Sequence, residues 1–187
     1  MVILCRSRVP SSLLRVGSVL ALAPLVGFSG SRSVVPQLAL CGVLPFVPAG
    51  VPVHVGCARG VDSFVRSFVP SAVVFSAAAW GSGAASFARR SSALVGSLVS
   101  GGGTLVAFPG CGCPVGLVPC GSWPWGVGSG SWGSVALAVG RGVPVLLWLP
   151  VGVVPPCGGR SGRFPFLPAW GFEPLGSGWF FSRGSGQ

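Results

Sequence analysis

Apolar residues through the middle of the chain come in short runs, each stopped by a glycine-bearing turn and followed by a segment with helical spacing. The clearest case is VPVHVGCARGVDSFVR at residues 51–66. Residues 51–55 read as a buried strand, GCARG as a tight turn and residues 61–68 as a helix ended by Pro70. The same unit recurs on either side. Residues 22–28 predict a strand that runs into the turn SGSRS, and residues 35–46 a helix bounded by Pro36 and Pro45. A third strand is expected at 72–75. It precedes a helix at 84–99 in which Phe87, Leu94, Val95 and Leu98 share one face and Gly101, Gly102 and Gly103 mark the end. Residues 104–108 predict a fourth strand, GSGSWGS at 128–134 opens a helix reaching Gly140, and residues 143–149 predict a fifth strand. Uniformly apolar strands alternating with helices imply helices on both faces of a mostly parallel sheet. The expectation is an α/β, Rossmann-like three-layer fold with about five strands.

The ends of the chain lack this rhythm. Residues 1–23 form an N-terminal extension in which Arg6 and Arg8 precede the apolar stretch 13–28, and Ala21-Leu22-Ala23 resembles a cleavage site, as in a secretory signal. Arg15 interrupts that stretch, and cleavage near Ala23 would leave the first strand as the mature N-terminus, which weakens the signal reading. Gly, Pro and Arg break every run short of the ~18 to 20 apolar residues that a membrane span needs, so no membrane is expected. The repeating units occupy residues 24–149. From 150 to 187, Trp170, Trp179, Phe180 and Phe181 lie among Gly, Pro and Ser without periodicity, which predicts a poorly ordered tail.

Composition narrows the choice of partner. The 187 residues suffice to bury a sizeable core, and only 7% are charged. All twelve basic residues are arginine, while lysine, asparagine and tyrosine are absent, which fits a coding sequence under strong nucleotide bias. A net charge of +10 favours an anionic partner. No basic run is longer than Arg89-Arg90, so charge supports a nucleotide and a nucleic acid alike. Seven cysteines, an odd number with Cys5, Cys41, Cys57 and Cys157 scattered, do not make a disulfide framework. Cys111, Cys113 and Cys120 could offer three thiolates, but a second C-x2-C pair and a nearby histidine are missing. Free thiols, no bound metal and a reducing cytoplasm are the expectation.

Candidate binding chemistry sits at the strand-to-helix turns. Gly30, Ser31, Arg32 and Ser33 offer backbone donors, two hydroxyls and a guanidinium. Gly56, Arg59 and Gly60 form a second such turn, and Gly128, Ser129, Gly130 and Ser131 a third, where glycine lets a phosphate approach the backbone. Parallel strands bring all three turns to one edge of the sheet, within reach of Arg89 and Arg90 early in their helix. Asp62, one of only two acids, falls in the first turn of its helix, where it caps free amides or binds a ribose hydroxyl. His54 lies mid-strand and reads as a packed residue instead of a base.

In order along the chain, GFSGSRS, VGCARGVD, FARRSSALV, VAFPG and GSGSWGSVALAVGRGVPVLLW resemble the SLOG superfamily, over residues 24–149. That superfamily includes the DNA-processing protein DprA/Smf and LOG-type nucleoside-monophosphate hydrolases. The resemblance implies a nucleotide-derived ligand at the carboxyl ends of the strands. LOG-type hydrolases carry an arginine on the middle helix, matched here by Arg89 or Arg90, and a glutamate after the last glycine turn. Ser134 stands at the place of that glutamate, and Glu173 is far off in the tail. Without that carboxylate, glycosidic hydrolysis has no engine. The reading is therefore a nucleotide-binding module, leaning against an enzyme and calling for no cofactor. The alternatives are a DprA-like binder of single-stranded DNA, with Trp80, Trp123, Trp125 and Trp132 as stacking surfaces, and a hydrolase relying on Asp62. Oligomeric state, a homo-oligomer included, stays open.

Overall fold

In the computed structural model, residues 9–126, 129–156 and 170–184 are described. Five parallel strands form the centre: β1 at Val26–Gly30, β2 at Val53–Gly56, β3 at Val73–Phe75, β4 at Thr104–Phe108 and β5 at Val145–Trp148. Between them run α2 at Gln37–Val43, α3 at Val61–Phe68, α4 at Ala84–Gly101 and α5 at Gly130–Gly140, and α1 at Ser11–Leu20 precedes β1. The sheet has seven strands, not five. β6 at Glu173–Gly176 and β7 at Trp179–Ser182 form a hairpin whose second strand pairs antiparallel with β5, in the order β3-β2-β1-β4-β5-β7-β6.

The strands separate two cores by simple alternation. In β4, Leu105 and Ala107 join the cluster packed by α4 and α5, while Val106 and Phe108 join the one packed by α1, α2 and α3. Residues buried on both faces explain why these strands read as unbroken apolar runs. β3 is the exception, an edge strand whose Val73 and Val74 stay about half exposed. Gly27 in β1 leaves the space that Leu94 and Leu98 of α4 fill, so the long helix lies close against the centre of the sheet. α4 ends where Gly102 takes a left-handed conformation, φ 62°.

Residues 9–23 and 170–184 join this core, while Arg6 and Arg8 of the signal-like reading lie outside the described residues. α1 is amphipathic: Val16 and Leu20 are buried, and Arg15 faces solvent. The arginine that interrupts the apolar run thus lies on the helix's wet side. The tail contributes on both faces, with Trp170 in the α4–α5 core and Trp179 in the other, where its ring meets Phe108 edge-on at 5.6 Å. A two-residue turn with positive φ at both Ser177 and Gly178 closes the hairpin. Four-residue strands are too short to show a period, and their order comes from pairing with β5, which would otherwise expose its edge. Among the described residues no helix is long and apolar enough to cross a membrane.

The order of strands positions the site. From β1 the chain passes to β2 and β3 on one side, then α4 carries it back across the sheet to β4 and β5 on the other. Between the carboxyl ends of β1 and β4 the connections therefore diverge and leave a crevice. Because Trp179 is fully enclosed, Trp179→Ala should destabilise the whole domain by about 3–5 kcal/mol. Urea denaturation would read this as a lower midpoint; an unchanged midpoint would show the hairpin to be an independent appendage.

Candidate functional site

A cleft of about 540 Å³ opens at that crevice. Its walls come from the turn after β1, the first half of α4, the loop after β4 and the start of α5. Residues Ala84, Phe87, Ala88 and Ser91 recur at helical spacing along one face of α4 and line the cleft, and Leu94, Val95 and Leu98 continue the same face into the core. One stripe thus serves two surroundings. Phe87, expected to pack with the three core residues, instead lines the cleft with its ring half-buried.

The turns lock together through their backbones. Ser31 N–H donates to the Phe108 carbonyl at 2.9 Å, and Val61 N–H donates to the Ser31 carbonyl at 3.0 Å. Gly60, at φ 78°, passes so close to Ser31 and Arg32 that a side chain there would overlap their backbone. Ser31 Oγ accepts from the amides of Ser33 and Val34 at 3.2 and 3.0 Å, so those amides are already engaged. What the first turn offers a ligand is the guanidinium of Arg32 and the hydroxyls of Ser31 and Ser33, all lining the cleft. Opposite, Ser129 caps α5, accepting from Trp132 N–H, and Ser129, Gly130 and Ser131 line the cleft at the helix start, where first-turn amides lie outside the helical ladder. Gly128 lies outside the described residues.

At the base of the cleft lies a buried ion pair. Arg90 Nη1 donates to Asp62 Oδ2 at 2.9 Å, with the two residues 6% and 2% exposed. The same carboxylate oxygen accepts from Ala58 N–H at 3.3 Å, so Asp62 reaches back to the preceding turn and caps no amide of α3. A Cβ on Gly56 would overlap the Arg90 guanidinium, which makes this glycine the opening through which the pair forms. Arg66 lies behind, donating to the carbonyls of Gly56 and Ala58. Arg90 Nε is buried with no partner among the described residues. Burial outweighs the pull of Arg90, the Ala58 amide and Arg66, and holds the Asp62 pKa above its ordinary 3.8.

Several expected residues fall elsewhere. Arg59 and Arg89 are exposed and do not line the cleft, Gly56 and Gly60 shape it from beneath, and between the two adjacent arginines of α4 only Arg90 faces it. Of the four tryptophans expected as stacking surfaces, Trp123 and Trp125 line the cleft, whereas Trp80 does not. Trp132 is fully buried, edge-on to Trp170 at 6.0 Å and donating from Nε1 to the Cys111 carbonyl. The long loop after β4 is thereby tied to α5, and Trp123 rests on Gly133. His54, half-buried, meets Ser97 Oγ at 2.8 Å and does not line the cleft, and burial lowers its pKa. Burial also pushes the Cys113 thiol up to about 11, aided by Cys111. Cys41, Cys57, Cys111, Cys113 and Cys120 are free thiols, and among the described residues no three His, Cys, Asp or Glu are gathered to hold a metal.

No family model matches the chain, and neither a curated protein nor a solved structure does.

The Asp62 shift has a definite sign. An acid that holds its proton more tightly when folded contributes stability at low pH that declines as pH rises from 3.8 through the folded value. The stability of the native protein minus that of Asp62→Asn should therefore fall across that window. Urea midpoints at a series of pH values measure it; a difference that grows with pH would show that Arg90 dominates over burial.

Proposed function

We propose that the protein is a Rossmann-like, SLOG-type module that binds a nucleotide or nucleotide derivative in the cleft between the carboxyl ends of β1 and β4, without turning it over. The observation that carries this is Arg90, 6% exposed, held at the cleft base with one donor unpartnered where two turns and the start of α5 converge. The Arg90 guanidinium borders the cleft, where an anionic oxygen would add to the compensation that Asp62 gives its buried charge. Arg32 and the hydroxyls of Ser31, Ser33, Ser129 and Ser131 suit phosphate oxygens, and the start of α5 adds its dipole. Trp123 and Trp125 provide flat surfaces for a base.

The acids argue against catalysis. Asp62 is held by Arg90 and Ala58, Glu173 lies on β6 at the far edge of the sheet, and Ser134 is buried, donating to the Gly130 carbonyl. No carboxylate stands ready to activate water or support a ribosyl cation.

Titration of the purified protein with nucleoside mono-, di- and triphosphates, followed by tryptophan fluorescence, tests this reading. Saturable binding is expected. Arg32→Ala should weaken it by about tenfold or more, as loss of a charge-assisted hydrogen bond does, and Arg59→Ala should leave it within about twofold. Strongly salt-dependent binding of single-stranded DNA with no mononucleotide response would instead favour the DprA-like reading. Silence on both from a folded sample would overturn the ligand proposal.

A further inference from the structure

Arg32 and Arg90 reach the cleft from different elements, one from the turn after β1 and one from α4, and both guanidiniums lie over a single ring. The Cζ of Arg32 is 4.3 Å from the centroid of Phe87 and the Cζ of Arg90 is 5.9 Å from it. Two like charges so placed repel, and the acids do little to relieve Arg32. Asp62, the only acid lining the cleft, is engaged by Arg90, and the only salt bridge among the described residues is that pair. What holds Arg32 over the cleft is the negative face of the ring.

We propose that Phe87 is a positioning residue: it holds the guanidinium of Arg32 beside that of Arg90, so that the two cations form one clamp for a multiply charged anionic group. This rests on the reading of the cleft as a ligand site and adds the device that orders it. An exposed arginine on a turn loses considerable rotamer freedom when it closes on a ligand. The ring restricts that freedom in advance, so the binding-competent rotamer is populated before the anion arrives. The cluster also explains its own charge. Arg66 and Arg90 already act on the one carboxylate of Asp62, so Arg32 over Phe87 adds an excess of positive charge that a lone carboxylate ligand would not neutralise but a phosphate or diphosphate group would. The ring lies nearer Arg32 than Arg90, whose contact with Asp62 is seated by Gly56 and Ala58.

The test uses inorganic pyrophosphate as the probe, alongside whichever nucleotide of the panel saturates the native protein. Phe87→Leu, which keeps an apolar side chain but removes the ring, should weaken binding of both by about 2- to 5-fold, and Phe87→Tyr, which keeps the ring, should bind like the native protein. Thermal unfolding of each variant checks that the fold is unchanged. In an Arg32→Ala background, Phe87→Leu should cost nothing further, because a ring that acts through Arg32 has nothing left to position. Equal losses from Phe87→Leu in both backgrounds, or a Phe87→Leu protein that binds like the native one, would overturn the proposal while leaving nucleotide binding standing. Binding of the nucleotide but not of pyrophosphate would also overturn the clamp. A native protein that binds neither probe would overturn the ligand reading itself.

Discussion

One buried carboxylate organises the cleft edge of this molecule. Asp62 is gripped by Arg90 from α4 and by the Ala58 amide from the turn after β2, and Arg66 reinforces that turn from the helix's own far end. The turn after β2 and the distant helix α4 are thus pinned to α3 at one oxygen atom. The arrangement is costly, because both charges leave water, and it repays that cost only if the geometry is held. Gly56 supplies the geometry by having no side chain where the guanidinium must pass. In a chain with two acids, no neighbouring carboxylate can substitute for Asp62.

The parallel part of the fold was legible because glycine and proline punctuate it. The helix at 61–68 and the strand at 104–108 stand as their sequence patterns predict, each bounded by a turn residue whose conformation the chain requires. Periodicity also placed the apolar stripe of the long helix, but a stripe carries no label for what it faces. Phe87 and Leu94 obey the same spacing, and only the position of the crevice decides that one meets the cleft and the other the core. Trp132 was open to the opposite mistake: an aromatic residue beside a glycine-rich turn looks accessible until Trp170, some forty residues later, covers it.

What stayed hidden at the two ends has a single cause. α1 and the β6–β7 hairpin draw their stability from tertiary partners, not from local signals. Arg15 looked like an interruption because a linear reading cannot see that its neighbours Val16 and Leu20 turn inward together. The hairpin is short, and its period of two, with Trp179 and Phe181 toward one core and Phe180 toward the other, becomes visible only once β5 defines the two faces. At the candidate site the same limit applies: charge pointed to Arg59, Arg89 and Arg90 equally, and only burial distinguishes the last.

The two open edges of the sheet are not equivalent. The outer strand β6 carries Glu173 and Pro174, a charge and a residue with no amide to donate, both of which discourage another strand from pairing there. The opposite edge, β3, is three residues of Val and Phe with no such guard. Among the described residues β3 is therefore the edge better suited to accept a further strand. Antiparallel pairing of that edge with its own copy would be isologous. A strand contact of that kind would use up the β3 edge of both copies and so close at two, in contrast to the open-ended stacking that two receptive edges would permit.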